Sequence, residues 1–313
     1  MSITTKPRAS SRARPPRPPR VTRPAWEEPR APLEAGARGI VLFGMAALIV
    51  VPLYIVVLTS FSSQATITAA GGMVMVPGEL TFSAYEQILS GGVVTRAVMV
   101  SVGITAVGTL ISLVVSVMAA YGLSRPGSYA HRPILFFLLI TMFFGAGMIP
   151  SYLLVSNLGL INSYWSLILP SCISVFNIFL MRGFFMGIDQ SIIDSARIDG
   201  AGDWRILTKM VLPMSRSVIT VIGLFYGVGY WNAFFNATLY INDSEKLPLQ
   251  VILRSYVLQG VSVPGQVSVG SGEVATLAVQ MAVVIIALVP VLIVYPFLQK
   301  HISSGVMIGA VKG

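Results

Sequence analysis

The chain has 313 residues, 55% of them hydrophobic and only 11% charged, and its mean hydropathy is +0.79. Soluble domains carry about a quarter of their residues as charges, so this composition excludes one and indicates an integral membrane protein. The formal net charge of +9 is concentrated at one end, because residues 1–38 hold nine Lys or Arg against three Glu.

Residues 1–37 are rich in Arg and Pro and nearly free of aliphatic side chains. They cannot bury a core and read as a disordered basic cytoplasmic tail. A nucleic-acid-binding arm is the alternative, but an anionic inner leaflet beside the first span accounts for the charge equally well, and no nucleic-acid partner is expected. The apolar run begins only at Gly39 and is too long for the core of a cleavable signal.

Residues 38–313 form one membrane domain of six apolar segments, predicted at 39–61, 97–122, 133–154, 164–184, 217–240 and 275–298. Each reaches the roughly 20 residues a helix needs to cross a bilayer. The fold class is therefore all-α, with six transmembrane helices. Between the first two spans, Thr81–Leu89 predicts a short amphipathic helix through Tyr85 and Ile88, and otherwise a solvated connection. With a cytoplasmic N-terminus, Lys and Arg outside the tail number nine inside, and three outside at Arg96, Lys246 and Arg254. That asymmetry places both termini in the cytoplasm.

It also places there the charged island of residues 188–213, IDQSIIDSARIDGAGDWRILTKMVLP. Asp189 can cap a helix with Ile192, Ile193 and Ala196 at helical spacing, and Gly200 and Gly202 can stop and turn it. Asp203 can cap a second helix presenting Trp204, Leu207, Met210 and Val211 on one side until Pro213 ends it. An amphipathic helix pair resting on lipid headgroups is the plainer reading of the same residues.

The fifth span carries FYGVGYWNAFFNA, residues 225–237. Aromatic rings can stack on sugar faces and amides can bond hydroxyls, so Tyr230, Trp231, Asn232 and Asn236, with Asn177 and Gln280 of other spans, are candidate lining of a solute path. An interfacial aromatic belt and interhelical amide bonds are the competing explanation. The loop from Asn242 to Glu273 combines LPLQVILR with a Gly- and Ser-rich tract and is long enough to touch an extracellular partner. The chain has no catalytic constellation, metal-ligand spacing or phosphate-binding Gly loop, and its lone Cys172 lies in an apolar run. No cofactor is expected on this chain.

Asp194-Ser195-Ala196, Gly200 four residues after Ala196, then Met210 and Leu212-Pro213, resembles the EAA loop of ABC importer permeases, with Asp for Glu, Ser for Ala and Met for Ile. Residues 38–313 resemble the carbohydrate-importing branch of that superfamily. Residues 231–254 and 305–313 are similar to the second permease subunit of importers for complex sugars, the LplC and YtcP type. The resemblance implies the type I importer permease fold and a role as a transporter subunit rather than an enzyme. It implies as partners a related permease, two ABC ATPase subunits that use the ATP, an extracellular solute-binding protein and a carbohydrate substrate. It implies ATPase docking through Asp194, Ser195, Ala196, Arg197, Asp199, Gly200 and Ala201, with Trp204 and Leu207 as apolar anchors. A peptide permease and a non-transporting membrane scaffold are the alternatives.

Overall fold

The computed structural model describes residues 32–90, 92–125, 127–259 and 277–309. Two compact units divide at Val51 and Pro52, and the bundle of residues 52–313 carries the fold. Helix α1 (Pro32–Ser60) crosses that boundary and contains a 25-residue span, Gly36–Ser60, whose most apolar 18-residue stretch has a mean hydropathy of 2.8. Its start at Pro32 lies six residues inside the segment expected to be tail, and residues 1–31 lie outside the described ones.

After α1 come two short helices, α2 (Gln64–Ala69) and α3 (Ser83–Ser90). The predicted surface helix is α3, with Ala84 and Ile88 buried and Tyr85 stacked on Phe61 at 4.9 Å while its hydroxyl bonds Ser60 Oγ at 2.9 Å. Helix α4 (Val93–Ser124) is the long axis of the unit and packs chiefly against α12 (Arg216–Trp231) and α8 (Val175–Met186). Its inward stripe is small and polar: Ser101, Gly108, Ser112, Ser116 and Ala120. Small residues at fourfold spacing let two backbones approach, as membrane helix pairs require. Ile104, Val117 and Leu123 are buried with this stripe, and Met99, Leu110 and Met118 point the other way and are exposed. Lipid or another membrane chain would cover an exposed apolar face on a helix whose most apolar 18-residue stretch has a mean hydropathy of 2.3.

The space opposite Gly108 is filled by Tyr230 of α12, whose hydroxyl bonds Ser112 at 2.9 Å and donates to the Ile168 carbonyl at 3.2 Å. One turn away, Tyr226 bonds Ser116 Oγ at 2.7 Å and accepts the Ser174 backbone N–H at 3.1 Å. Two tyrosines thus join three helices through satisfied buried hydroxyls.

The third and fourth spans are broken where continuous helices were expected. Helices α5 (His131–Phe143) and α6 (Met148–Asn157) meet at 114°. The break falls at Gly145 and Gly147, the latter at φ +84°, a conformation open to glycine. Helix α7 (Trp165–Ile168) tightens into a 3₁₀ turn at Leu169–Ser171 around Pro170 and meets α8 at 49°. Apolar composition alone does not distinguish a straight span from a bent one, and glycine or proline supplies the difference.

Between α8 and α12 lies the polar island, built from α9 (Gln190–Ile198), α10 (Asp203–Ile206), a π turn at Leu207–Val211 and α11 (Leu212–Met214). The fifth predicted span, 217–240, is also divided: α12 stops at Trp231 and α13 (Phe234–Tyr240) comes after Asn232-Ala233. Beyond α13, Asn162 at φ +61° accepts the backbone N–H groups of Asn242 and Asp243 on Oδ1, at 3.3 and 3.0 Å. Lys246 donates to its carbonyl at 3.2 Å. These bonds fasten the next loop to the bundle, and LPLQVILR becomes α14 (Leu249–Arg254), with Leu249 and Ile252 buried. The Gly- and Ser-rich tract at 260–276 lies outside the described residues. Helix α15 (Leu277–Gly309) holds the last span, Leu277–Pro296.

Candidate functional site

Two sites occupy opposite ends of α12. The first is the elbow between α9 and α10. Asp189 caps α9, accepting the Ser191 backbone N–H at 3.0 Å, and the helix buries Ile193 and Ala196. It ends in a Schellman turn: the Ala201 N–H bonds the Ala196 carbonyl at 2.9 Å and the Gly200 N–H bonds the Arg197 carbonyl at 3.0 Å, with Gly200 at φ +78°. Gly202 has φ −72°, which any residue adopts, so only one of the two glycines is required by the turn. Gly202, rather than Asp203, occupies the capping position of α10.

Asp203 instead receives charge. Its Oδ1 lies 3.3 Å from Arg125 at the end of α4 and 3.7 Å from Arg197 on α9. The Arg125 guanidinium lies 4.4 Å from the Tyr121 ring centre and donates to the Tyr121 hydroxyl, which itself donates to the Asp203 carbonyl at 3.1 Å. A carboxylate in the first turn of a helix also meets its positive end. Arg182 of α8 donates to the Leu123 carbonyl at 2.7 Å. The elbow is thereby tied to α4 by polar bonds and to the core by Ile206 of α10 and by Leu207 and Val211 of the π turn.

Burial sorts the docking residues expected from the sequence. Asp194, Ser195, Arg197, Asp199 and Gly200 are exposed and Ala201 is half-buried. Ala196 is buried and Leu207 only 4% exposed, so both pack the elbow onto its own chain. Trp204 is 70% exposed, and Ile198 at the end of α9, absent from the expected set, is 87% exposed. Both are large apolar side chains in a charged segment, the sequence signal that identifies Ile198 once α9 is known to end there. From sequence alone, Arg125 is no more than an orientation charge and Asp203 no more than a cap.

The second site is a cavity of about 560 Å³ at the other end of α12. Asn177, Tyr230, Asn232 and Asn236 all line it, together with Phe176, Phe225, Tyr226, Phe234 and Phe235. Four of the six candidate path residues therefore converge. Asn177 comes from α8, where Ser174 caps the helix through the Asn177 N–H, and the residue is buried in the bundle with its side chain at the cavity wall. The Asn232 amide donates to the Val228 carbonyl at 2.9 Å. Trp231 points elsewhere: it is buried, and its Nε1 donates to the Ala287 carbonyl of α15 at 3.2 Å. Gln280 on α15 does not line the cavity. Helix α12 ends at Trp231, so Asn232 reaches the cavity from the turn before α13, while Trp231, about 100° round the helix from Tyr230, faces α15.

The cavity lining contains no charged side chain among the described residues. Rings and amides without fixed charge suit a solute with apolar faces and many hydroxyls. Phe176, Phe225 and Phe235 are each at least 44% exposed, so their rings line this open cavity and also face outward from the bundle.

Residues 112–308 match the family described as binding-protein-dependent transport system inner membrane component. The polygalacturonan/rhamnogalacturonan transport system permease protein YtcP of Bacillus subtilis is 41% identical, across 87% of this chain and 96% of its own. Protein LplC of the same organism is 37% identical across 87% and 92%. Among solved structures, a chain of a bacterial ABC transporter involved in the import of the acidic polysaccharide alginate superposes with a TM-score of 0.78 at 30% identity, over 88% of this chain and 98% of that one. With its helical membrane bundle and elbow, this chain belongs to the binding-protein-dependent inner membrane permease family and has the type I fold of ABC importer permeases.

Proposed function

We propose that this chain is one of two related membrane halves of an ATP-driven, binding-protein-dependent importer of oligosaccharides. The elbow of α9 and α10 carries the proposal. It offers exposed Ile198 and Trp204, flanked by Asp194 and Asp199, on a turn braced to α4 and joined to α12 through an 83° bend at Ser215. Exposed apolar anchors rimmed by charge are the features of a docking surface. Two ABC ATPase subunits, one against each permease half, are the partners that a braced lever of this kind fits.

In this mechanism the elbow lies in the cytoplasm, with both chain termini. Closure of the ATPases around ATP displaces the elbow, and the Arg125–Asp203–Arg197 bracing and the buried Ile206–Val211 segment pass the displacement to α4 and α12. The tyrosine bonds between α4, α7 and α12 make those helices move together. The cavity lined by Asn177 and Asn232 then opens outward and receives sugar from the solute-binding protein. Rigid-body motion of packed helices is a common form of switching. The amide of Asn177 and the rings of Phe225 and Phe235 contact the solute in passing.

The names of the relatives support carbohydrate as cargo: YtcP is named for polygalacturonan and rhamnogalacturonan transport, and the solved transporter is involved in the import of the acidic polysaccharide alginate. Reconstitution tests the proposal. Liposomes containing this chain, its partner permease and the ATPase are given binding protein and a panel of oligosaccharides. Sugar-stimulated ATP hydrolysis coupled to uptake is expected. Turnover stimulated by peptides alone would make it a peptide permease, and failure to bind any ATPase would leave a scaffold.

A further inference from the structure

The charge-free cavity shares Phe234 and Phe235 with a second one of about 430 Å³, whose lining includes Met148, Thr238, Val251 and Ser255. Across the two linings there is a single charged residue among the described ones, Arg254 of α14. Its guanidinium lies 4.5 Å from the centre of the Phe234 ring, the ring common to both cavities. Other cations at this end of the bundle are neutralised: Arg96 pairs with Glu245 at 3.0 Å and Lys246 with Asp243 at 3.5 Å. Among the described residues no carboxylate pairs with Arg254, and its side chain is exposed.

We propose that Arg254 is the charge-selecting residue of this path and that the cargo is an oligosaccharide bearing carboxylates, a substrate class that rests on the importer function proposed for this chain. A guanidinium presents paired N–H donors that match a carboxylate, while its stacking on an aromatic ring holds the fork in place. Beside it, Phe235 is exposed and offers an apolar face on which a sugar ring can lie. A uronic acid residue has that apolar face and an equatorial carboxylate at its edge. The pair Phe235 and Arg254 would therefore meet both features of one sugar unit. A neutral sugar uses only the first. The positive charge on a low-dielectric wall also attracts an anionic solute before contact.

The test uses the assembled importer in liposomes, with an oligogalacturonide and the same oligosaccharide after reduction of its carboxyl groups to alcohols. Arg254→Gln is expected to lower uptake of the acidic sugar about tenfold, the loss of one charge-assisted bond, with uptake of the reduced sugar and basal ATP turnover unchanged. Arg254→Lys keeps the charge and should retain most acidic uptake, and Arg254→Glu should fall below Arg254→Gln. The same variants in vesicles of phosphatidylcholine alone and with added phosphatidylglycerol separate sugar binding from a lipid-headgroup contact. A deficit that appears only with the anionic lipid assigns Arg254 to lipid and overturns the proposal. An equal fall of both sugars in Arg254→Gln makes the residue structural and overturns it too. Wild-type uptake of the reduced sugar alone would refute the acidic cargo and leave the importer standing, whereas uptake of neither sugar would remove both.

Discussion

Gly200 offers a quantitative test of the elbow. Its φ of +78° is the left-handed region, and a Cβ built there meets no atom within 4 Å. A substitution therefore has no steric partner, and its cost comes from the backbone alone. For an ordinary L-residue that cost is about 1–2 kcal/mol, a factor of roughly 5–30 in the population of the turn. Asn tolerates this region far better than other residues, and a β-branched side chain worse than Ala. Coupled ATP turnover and uptake, normalised to membrane-inserted protein, should rank glycine first, then Gly200→Asn, Gly200→Ala and Gly200→Val. Gly202→Ser is the internal control. It also has open space around it, but at φ −72°, and Ser at a capping position is at least as good as Gly, so activity should be retained. Gly200→Val as active as wild type would remove the turn from the mechanism. Gly200→Asn falling as far as Gly200→Val would show that side-chain volume at the ATPase contact matters instead of backbone geometry.

The packing and polar contacts lead to three further outcomes. A Cβ at Gly108 would lie 2.8 Å from the Tyr230 ring, whereas one at Gly103 on the same helix meets nothing; Gly108→Ala should lower thermal stability by about 1–3 kcal/mol and Gly103→Ala should not. The Asp203 side chain is 68% exposed, so a double-mutant cycle of Arg125→Ala and Asp203→Ala, read by thermal unfolding, should give a coupling below about 1 kcal/mol that shrinks with salt. A larger, salt-insensitive coupling would mean that the pair is buried against a partner. Asn177→Leu should lower sugar uptake while leaving basal ATP turnover and assembly intact, because it removes an amide from the cavity wall without touching the elbow; an equal loss of basal turnover would assign Asn177 to helix packing.

The elbow is more legible in the sequence than the path is. Its signals are local: an Asp cap, apolar residues at helical spacing and a glycine at the turn all act within a few residues of one another. The discrepancies there are of one position, as with the cap at Gly202, or of face, as with Leu207. Leu207 lies inward with Ile206 and Val211 while Trp204, three residues earlier, is exposed, so the face that 3.6-residue spacing shares between Trp204 and Leu207 is not one buried face. The spans are legible as apolar segments but not as straight or bent helices.

The path depends on which faces of α8, α12 and α13 converge, and that is set by contacts between residues far apart in sequence. Adjacency groups Tyr230 with Trp231 as aromatic neighbours, yet Gly108 and Ser112 hold Tyr230 against α4 while the Ala287 carbonyl holds Trp231 against α15. Both partners belong to helices that sequence spacing cannot align. Arg254 is the sharpest case. In the sequence it is one of three cations assigned to the outside, and nothing local separates it from Arg96 and Lys246. The fold gives those two an acidic partner each and sets Arg254 over Phe234 with no carboxylate beside it among the described residues. The distinction that matters for selectivity is thus which cation keeps its charge available, and only tertiary pairing decides it.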